Sequence, residues 1–227
     1  MFEIKGRYLT SRYYARHIPL VSKYVYEMSF NRQSSPFYKT IPFPTRLIHL
    51  NREFEQGYSR RLRKYIRQAQ SMNFTIHRPH EIPDIEAMYQ SVVDAKNLPP
   101  LPPGIEKHQE GYFYSEIHHP ELGRLAAHIS IGDAEEKTVF GLVNASEFRK
   151  FSTPQDQRIC SIANKYLFHQ DMLHFKKQNF KYYDMVGIGE PVNQMKKDFG
   201  GEIIPTFTHI PWPWYVLQKI KRVLTSF

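Results

Sequence analysis

The stretch from Ser152 to Gly201 constrains the fold more than any other part of the sequence. Thr153 is a helix-capping residue type, Pro154 suits the first helical position, and Asp156 stands where a capping-box acid helps. Ile159, Ala163, Tyr166 and Leu173 then recur at helical spacing, which predicts a long helix with one buried face that frays near Gln178 and Asn179. The run Phe180–Ile188 is rich in strand formers and carries Asp184 just before Gly187. The segment Asn193–Gly201 follows and closes on Phe199-Gly200-Gly201.

Upstream, the pattern alternates between the two periods. Residues 1–44 read as an aromatic and basic arm, with a helix expected over Pro19–Phe30. Thr45–Leu50 reads as a strand, and Tyr58–Met72 as a helix with Tyr58, Leu62, Tyr65, Ile66, Ala69 and Met72 on its apolar stripe. Arg60, Arg61, Arg63, Lys64 and Arg67 load its other side, with no acid four residues away inside the cluster, so an anionic partner would relieve their repulsion. Phe74–Arg78 reads as a short strand, Ile82–Lys96 as an amphipathic helix, and Leu98–Gly104 as a stiff proline-rich loop serving as lid or connector. Tyr112–Ile117 fits either helix or strand. Leu125, Ala127, Ile129 and Ile131 alternate with His128 and Ser130, a strand pattern; 133–137 is hairpin-like and Thr138–Ala145 is the partner strand. A last strand is expected over Glu202–Ile210, then a turn at Pro211–Trp214 and a short basic amphipathic helix over Tyr215–Leu224. The pattern predicts an α+β (mixed α/β) protein: a central, largely antiparallel sheet flanked by helices, with a core domain over 45–210 and a terminal helix over 211–227.

Composition narrows the chemistry. The chain has 227 residues, 41% of them hydrophobic, and a formal charge of +9. That balance favours anionic partners: nucleic acid, nucleotide- or lipid-linked substrates, or an acidic membrane surface. The single cysteine, Cys160, excludes an intrachain disulfide and a thiolate zinc cluster, and its place in the long helix predicts a core thiol. No H-E-x-x-H, G-x-S-x-G or P-loop pattern is present, and no metal is expected. No signal-type apolar run opens the sequence, so the expectation is a cytoplasmic protein, with peripheral contact at the inner membrane surface through the Trp- and Lys/Arg-bearing terminal helix as a further expectation.

Two segments carry a family resemblance. Tyr58-Ser59-Arg60-Arg61-Leu62-Arg63-Lys64-Tyr65-Ile66-Arg67-Gln68-Ala69 resembles the Arg-rich helix of the Fem-like branch of the GNAT acyltransferases. Tyr182–Ile188 resembles that branch's strand with an aspartate followed by glycines, and Met195-Lys196-Lys197-Asp198-Phe199-Gly200-Gly201 is similar to its closing Phe-Lys-x-x-Phe-Gly-Gly motif. Met195 stands in place of the usual aromatic residue and Val186 in place of a glycine, and the glycine turn that binds CoA in ordinary GNAT enzymes is missing before Thr153. The resemblance implies transfer of an acyl or aminoacyl group to an amine of a cell-envelope or polysaccharide precursor, with acyl-CoA and aminoacyl-tRNA both open as donor.

Acyl transfer to an amine needs a deprotonated amine, stabilisation of an oxyanion, and a proton for the leaving group. Lys196 matches the family lysine and is a candidate for the oxyanion or the donor phosphate. Asp184 is a candidate base or a group that orients the acceptor amine, and His128 and Ser130 are candidates for relaying a proton. Ser130, Asn164 and His169 are also candidates for binding, as are Phe199 and Gly200 of the closing motif. Arg63 and Arg67 suit phosphates of a nucleotide- or lipid-linked acceptor or of a tRNA end, and Arg149 and Lys150 suit a phosphate at the long helix's N-terminus. A non-catalytic basic module for nucleic acid or an anionic membrane surface is the alternative, and a Fem-like scaffold acting with a partner is a third reading.

Overall fold

The structure, a computed structural model, describes residues 2–5, 10–13, 15–30, 35–51, 53–83, 85–96, 101, 111–188 and 192–224. In chain order the strands and α-helices are β1 (Phe2–Lys5), β2 (Thr10–Tyr13), β3 (Val25–Ser29), β4 (Tyr38–Pro42), β5 (Thr45–His49), α1 (Arg60–Ala69), β6 (Thr75–His77), α2 (Glu86–Lys96), β7 (Tyr112–His119), β8 (Gly123–Asp133), β9 (Thr138–Ser146), α3 (Pro154–Lys177), β10 (Tyr182–Asp184), α4 (Val192–Lys197), β11 (Glu202–Ile204), β12 (Phe207–Pro211) and α5 (Trp212–Leu224). Single 3-10 turns at Phe54–Gly57 and Glu147–Arg149 lead towards α1 and α3.

The chain forms two compact units, one of residues 1–45 with 203–227 and the other of residues 46–202. The larger is built on a seven-stranded sheet of order β11-β5-β10-β9-β8-β7-β6. β5 with β10, β9 with β8, β8 with β7 and β7 with β6 pair antiparallel, while β9 and β10 run parallel with α3 as the crossover between them. Both faces are covered. Ile85 and Met88 at the start of α2 pack on Ala127, Ile129, Val143 and Ala145, while α1 and α3 cover the other face through Leu62, Phe168, Met172 and Phe175 against Val139 and Tyr183. Each Val, Leu, Ile, Met or Phe among them stabilises the fold by about 1.5–3 kcal/mol when fully buried.

The long helix forms as its punctuation predicts. Thr153 Oγ1 accepts from Asp156 N–H at 3.1 Å, Pro154 opens the helix, and Asn179 beyond its end takes a φ of 66°. Tyr112–Ile117 resolves as strand. The strand expected over Phe180–Ile188 holds only for Tyr182–Asp184, because Val186 and Gly187 take positive φ values of 53° and 45° and turn the chain away. The loop expected over Leu98–Gly104 lies, apart from Leu101, outside the described residues.

The smaller unit departs further from the sequence reading. The helix expected over Pro19–Phe30 is absent; Val25–Ser29 is strand β3 in a five-stranded sheet of order β1-β2-β3-β12-β4. The single strand expected over Glu202–Ile210 is two strands in different sheets, separated at Pro205, a residue that cannot donate to a ladder. In place of the turn expected at Pro211–Trp214, Pro211 ends β12 and α5 starts directly at Trp212. Tyr26, Tyr38 and Ala15 make this unit's small core, and Ser29 Oγ donates to Ala15 O at 2.6 Å.

The closing glycines are required by contact as well as by angle. Gly200 has φ +73°, and a Cβ there would stand 2.5 Å from Gly57 O; Gly201 has φ +74°, and its Cβ would stand 2.5 Å from Leu47 O. Arg46 Nη1 donates to Gly200 O at 2.9 Å across the same junction. Gly123 has a similar φ of +72° but nothing within 4 Å of an added Cβ. Gly200→Ala is therefore expected to cost about 3 kcal/mol, a fall in Tm of about 6–12 °C, and Gly123→Ala about 1 kcal/mol. Thermal or urea unfolding of the two variants checks the difference.

Candidate functional site

Two polar centres sit in the larger unit, and the candidate residues divide between them. One lies under α3. His128 and Ser130 project from β8 towards this helix, on the face opposite Ala127 and Ile129, and both are buried. Asp171 of α3, 1% exposed, is the centre of the network. Its Oδ2 accepts from Ser115 Oγ at 2.9 Å and lies 2.9 Å from His128 Nδ1, and its Oδ1 accepts from Arg78 Nη2 at 3.1 Å. The other ring nitrogen of His128 lies 2.8 Å from Asn164 Oδ1. An amide can accept from a ring N–H or, turned over, donate to a bare ring nitrogen, so Asn164 suits either state of the imidazole. Phe168 covers the ring at a centroid distance of 4.1 Å.

Asp171, Ser115 and Arg78 did not emerge from the sequence as site residues. Asp171 had a readable signal: it follows Asn164 by seven residues, two helical turns, on the same face. Ser115 and Arg78 had none, because only pairing of β7 with β8 sets Ser115 opposite His128, and Arg78 arrives from the end of β6.

The second centre is the turn after β10. Asp184, fully buried, accepts from Val186 N–H at 2.7 Å. Lys196 of α4 donates through Nζ to Val186 O and to Gly187 O, the latter at 2.7 Å. Asp184 and Lys196 thus brace one turn from its two sides. Tyr183 belongs to the cluster under α3, so alternation along β10 points Asp184 to the opposite face, away from the His128 layer.

The turn has a consequence for the sheet. Pairing of β10 with β9 covers only Tyr182–Asp184 against Thr138–Phe140, yet β9 continues to Ser146. Beyond Phe140, among the described residues, β9 is paired with β8 alone. The β8 register also shifts there, from Ser130 opposite Gly141 to Ile129 opposite Val143, leaving Leu142 as a bulge. Parallel strands that part in mid-sheet leave a row of peptide groups for a ligand to bond.

The remaining candidates lie elsewhere. His169 is buried beside Tyr58, whose hydroxyl is 3.3 Å from Nδ1, and Glu55 approaches at 3.5 Å. Phe199 is fully buried against Tyr58 and Phe168, so it anchors the closing motif in the core, as Gly200 does by its close approach. Asp198 accepts from Ser59 Oγ at 2.8 Å and from Arg61 Nη2 at 2.7 Å, which ties α4 to the start of α1 and occupies one cation of the Arg-rich helix. Arg63 and Arg67 are exposed on α1. Arg149 and Lys150 are exposed before α3, but Thr153 and Asp156 close that helix end on each other, Thr153 Oγ1 donating to Asp156 Oδ2 at 2.7 Å. Cys160 is a core thiol, as expected, and burial pushes it up to about 12. No group of three or more metal-ligating side chains occurs among the described residues.

The sequence matches no family model and no curated protein. Solved structures do match. FemX aligns over 85% of this chain and 68% of its own, at 11% identity and a TM-score of 0.58. L-PGS from Bacillus licheniformis aligns over 76% of this chain at 10% identity and a TM-score of 0.53. A domain from Agrobacterium fabrum, provisionally named the C-terminal domain of a lysylphosphatidylglycerol synthetase, aligns over 77% at 12% identity and a TM-score of 0.51. The likeness is one of fold: the chain resembles these proteins in having a GNAT-like sheet. The Fem-like branch is among its structural neighbours, and the chain spans 61–62% of the L-PGS and Agrobacterium chains. In GNAT terms, the expected central and largely antiparallel sheet with flanking helices is present.

Two predictions follow from the buried groups. Asp171→Ala leaves Arg78 and His128 without their shared acceptor and is expected to cost about 3–5 kcal/mol in urea unfolding. Burial holds His169 and His174 below their ordinary 6.5, with Glu55 opposing the effect at His169. The unfolded chain therefore takes up protons below pH 6.5 before the folded chain does. Stability is full above that pH and falls as pH drops through the folded values. The urea midpoint should fall between about pH 7.5 and 5.5, and fall less in His169→Gln.

Proposed function

We propose that this chain is an N-acyltransferase that moves an acyl or aminoacyl group to an amine of a cell-envelope or polysaccharide precursor. The observation that carries the reading is the parting of β9 from β10 beside the Asp184–Gly187 turn. An extended, amide-bearing donor arm such as that of an acyl-CoA can pair with the released edge of β9 as a strand would. An aminoacyl-tRNA end would enter the same opening with its ester carbonyl against the bulge at Leu142. Backbone N–H groups of β9 are then the donors to the developing oxyanion, fixed in place before reaction.

In this reading Lys196 and Asp184 act first through the turn they hold, since both bind its main chain. The turn they hold lies where β9 parts from β10, and in this reading the amine loses its proton and the leaving group gains one beside it. His128 is 2% exposed and held between Asp171 and Asn164, which suits a layer that positions β8 and α3 beneath the opening. Arg63 and Arg67 are the cations for phosphates of donor or acceptor. FemX and L-PGS, two of the neighbours with TM-scores above 0.5, are consistent with an envelope substrate. The expected cytoplasmic location belongs to the same proposal.

The test is direct. The protein is incubated with radiolabelled acyl-CoA or aminoacyl-tRNA and an amine acceptor, either an amino sugar or a lipid-linked peptide. Transfer from one donor class is expected, reduced about 100-fold in Lys196→Ala with the circular dichroism spectrum unchanged. If neither donor binds and neither supports transfer, the reading falls; transfer that survives Lys196→Ala removes the lysine from the mechanism.

A further inference from the structure

The formal charge of +9 is not spread over the chain. The smaller unit, residues 1–45 and 203–227, has ten Lys and Arg against two Asp and Glu, or +8; the larger has twenty-one against twenty, or +1. The same unit holds ten of the eleven large hydrophobic side chains exposed among the described residues, Phe148 being the exception. Apolar groups displayed in water and a concentration of positive charge coincide in one small unit.

They also coincide within it. α5 is amphipathic, but its apolar stripe faces outward: Val216, Leu217 and Ile220 are 48%, 53% and 50% exposed. Trp212 N–H, at the start of α5, donates to Phe37 O at 3.1 Å, and Phe37 is itself exposed. Ser35 Oγ accepts from Phe37 N–H and donates to Leu20 O at 3.2 Å, which brings in the loop where Leu20 and Val21 are 65% and 66% exposed. Lys39 stands 5.8 Å from the Trp212 ring centre and Lys219 5.8 Å from that of Tyr215. The α5 sequence carries three cations and no acid. Among the described residues no helix is long and apolar enough to cross a membrane, so the feature is a surface one.

We propose that this face of the smaller unit docks on an anionic lipid bilayer, α5 lying in the interface with Leu20–Val21 and Phe37 beside it. Anionic headgroups answer the cations, and the acyl boundary takes up the apolar stripe. Nucleic acid would answer the charge equally but has no use for exposed Leu, Val and Ile, since bases stack on aromatic rings. The proposal does not depend on acyl transfer: vesicle binding is read without turnover.

The two tryptophans of the chain, Trp212 and Trp214, both lie in the first turn of α5 and report on its surroundings. The full chain should float with vesicles of phosphatidylcholine mixed with phosphatidylglycerol, with a blue shift of tryptophan emission, and not with phosphatidylcholine alone. Leu217→Ser/Ile220→Ser, at exposed positions and neutral in charge, should weaken flotation about tenfold, and Lys39→Gln/Lys219→Gln should weaken it in a salt-dependent way. The proposal is overturned if anionic vesicles are not bound, or are bound equally by the serine variant. It is also overturned if the chain instead binds tRNA, or forms a dimer that the serine variant dissolves, without binding vesicles.

Discussion

One buried carboxylate sets the register of the larger unit. Asp171 reaches from α3 to Arg78 just past β6, to Ser115 on β7 and to His128 on β8, so a single helical side chain is bonded to two neighbouring strands and to the segment that follows a third. A carboxyl group that is 1% exposed is costly to leave without its hydrogen-bond partners, which makes sliding or rotation of α3 costly. The position of α3 in turn sets where β10 enters the sheet, because α3 is the crossover between β9 and β10. The parting of those strands, from which the catalytic reading is drawn, therefore depends on a polar layer on the other side of Tyr183.

Much of this was legible in the sequence where the determinants are local. Thr153, Pro154 and Asp156 are neighbours that form a helix start unaided, and the alternation from Leu125 to Ile131 assigns faces without any knowledge of the partner. Alternation does not say what covers each face. His128 and Ser130 read as the polar side of a strand, yet both faces of this sheet carry helices, and His128 finds its partners in Asp171 and Asn164. The determinants that escaped are those set by distant pairing. Val25–Ser29 is a strand because β12, about 180 residues later, supplies its ladder, and the local pattern around Leu20, Val21 and Tyr24 suits a helix just as well.

The closing motif shows how a motif can be recognised and its residues still do different work from one another. Phe199 fills the core, Gly200 and Gly201 let the chain pass against Gly57 and Leu47, Asp198 anchors Ser59 and Arg61, and Lys196 holds the turn after Asp184. Lys196, Gly200 and Gly201 act on the path of the chain itself, and Asp198 and Phe199 fix that path to α1 and the core, so these residues encode a shape. Whatever chemistry occurs beside it depends on that shape first.

Charge follows the same division of labour. The Arg-rich face of α1 is conspicuous in the sequence, but Arg61 is taken by Asp198 and the larger unit is nearly neutral as a whole. A near-neutral unit exerts little long-range pull, so what binds there must be selected by hydrogen bonds and fit at short range. The smaller unit has the opposite character: about 70 residues with a formal +8 attract anions at distances where no contact geometry matters. The two units thus differ in charge by seven, and a substitution that alters the charge of one leaves that of the other as it was.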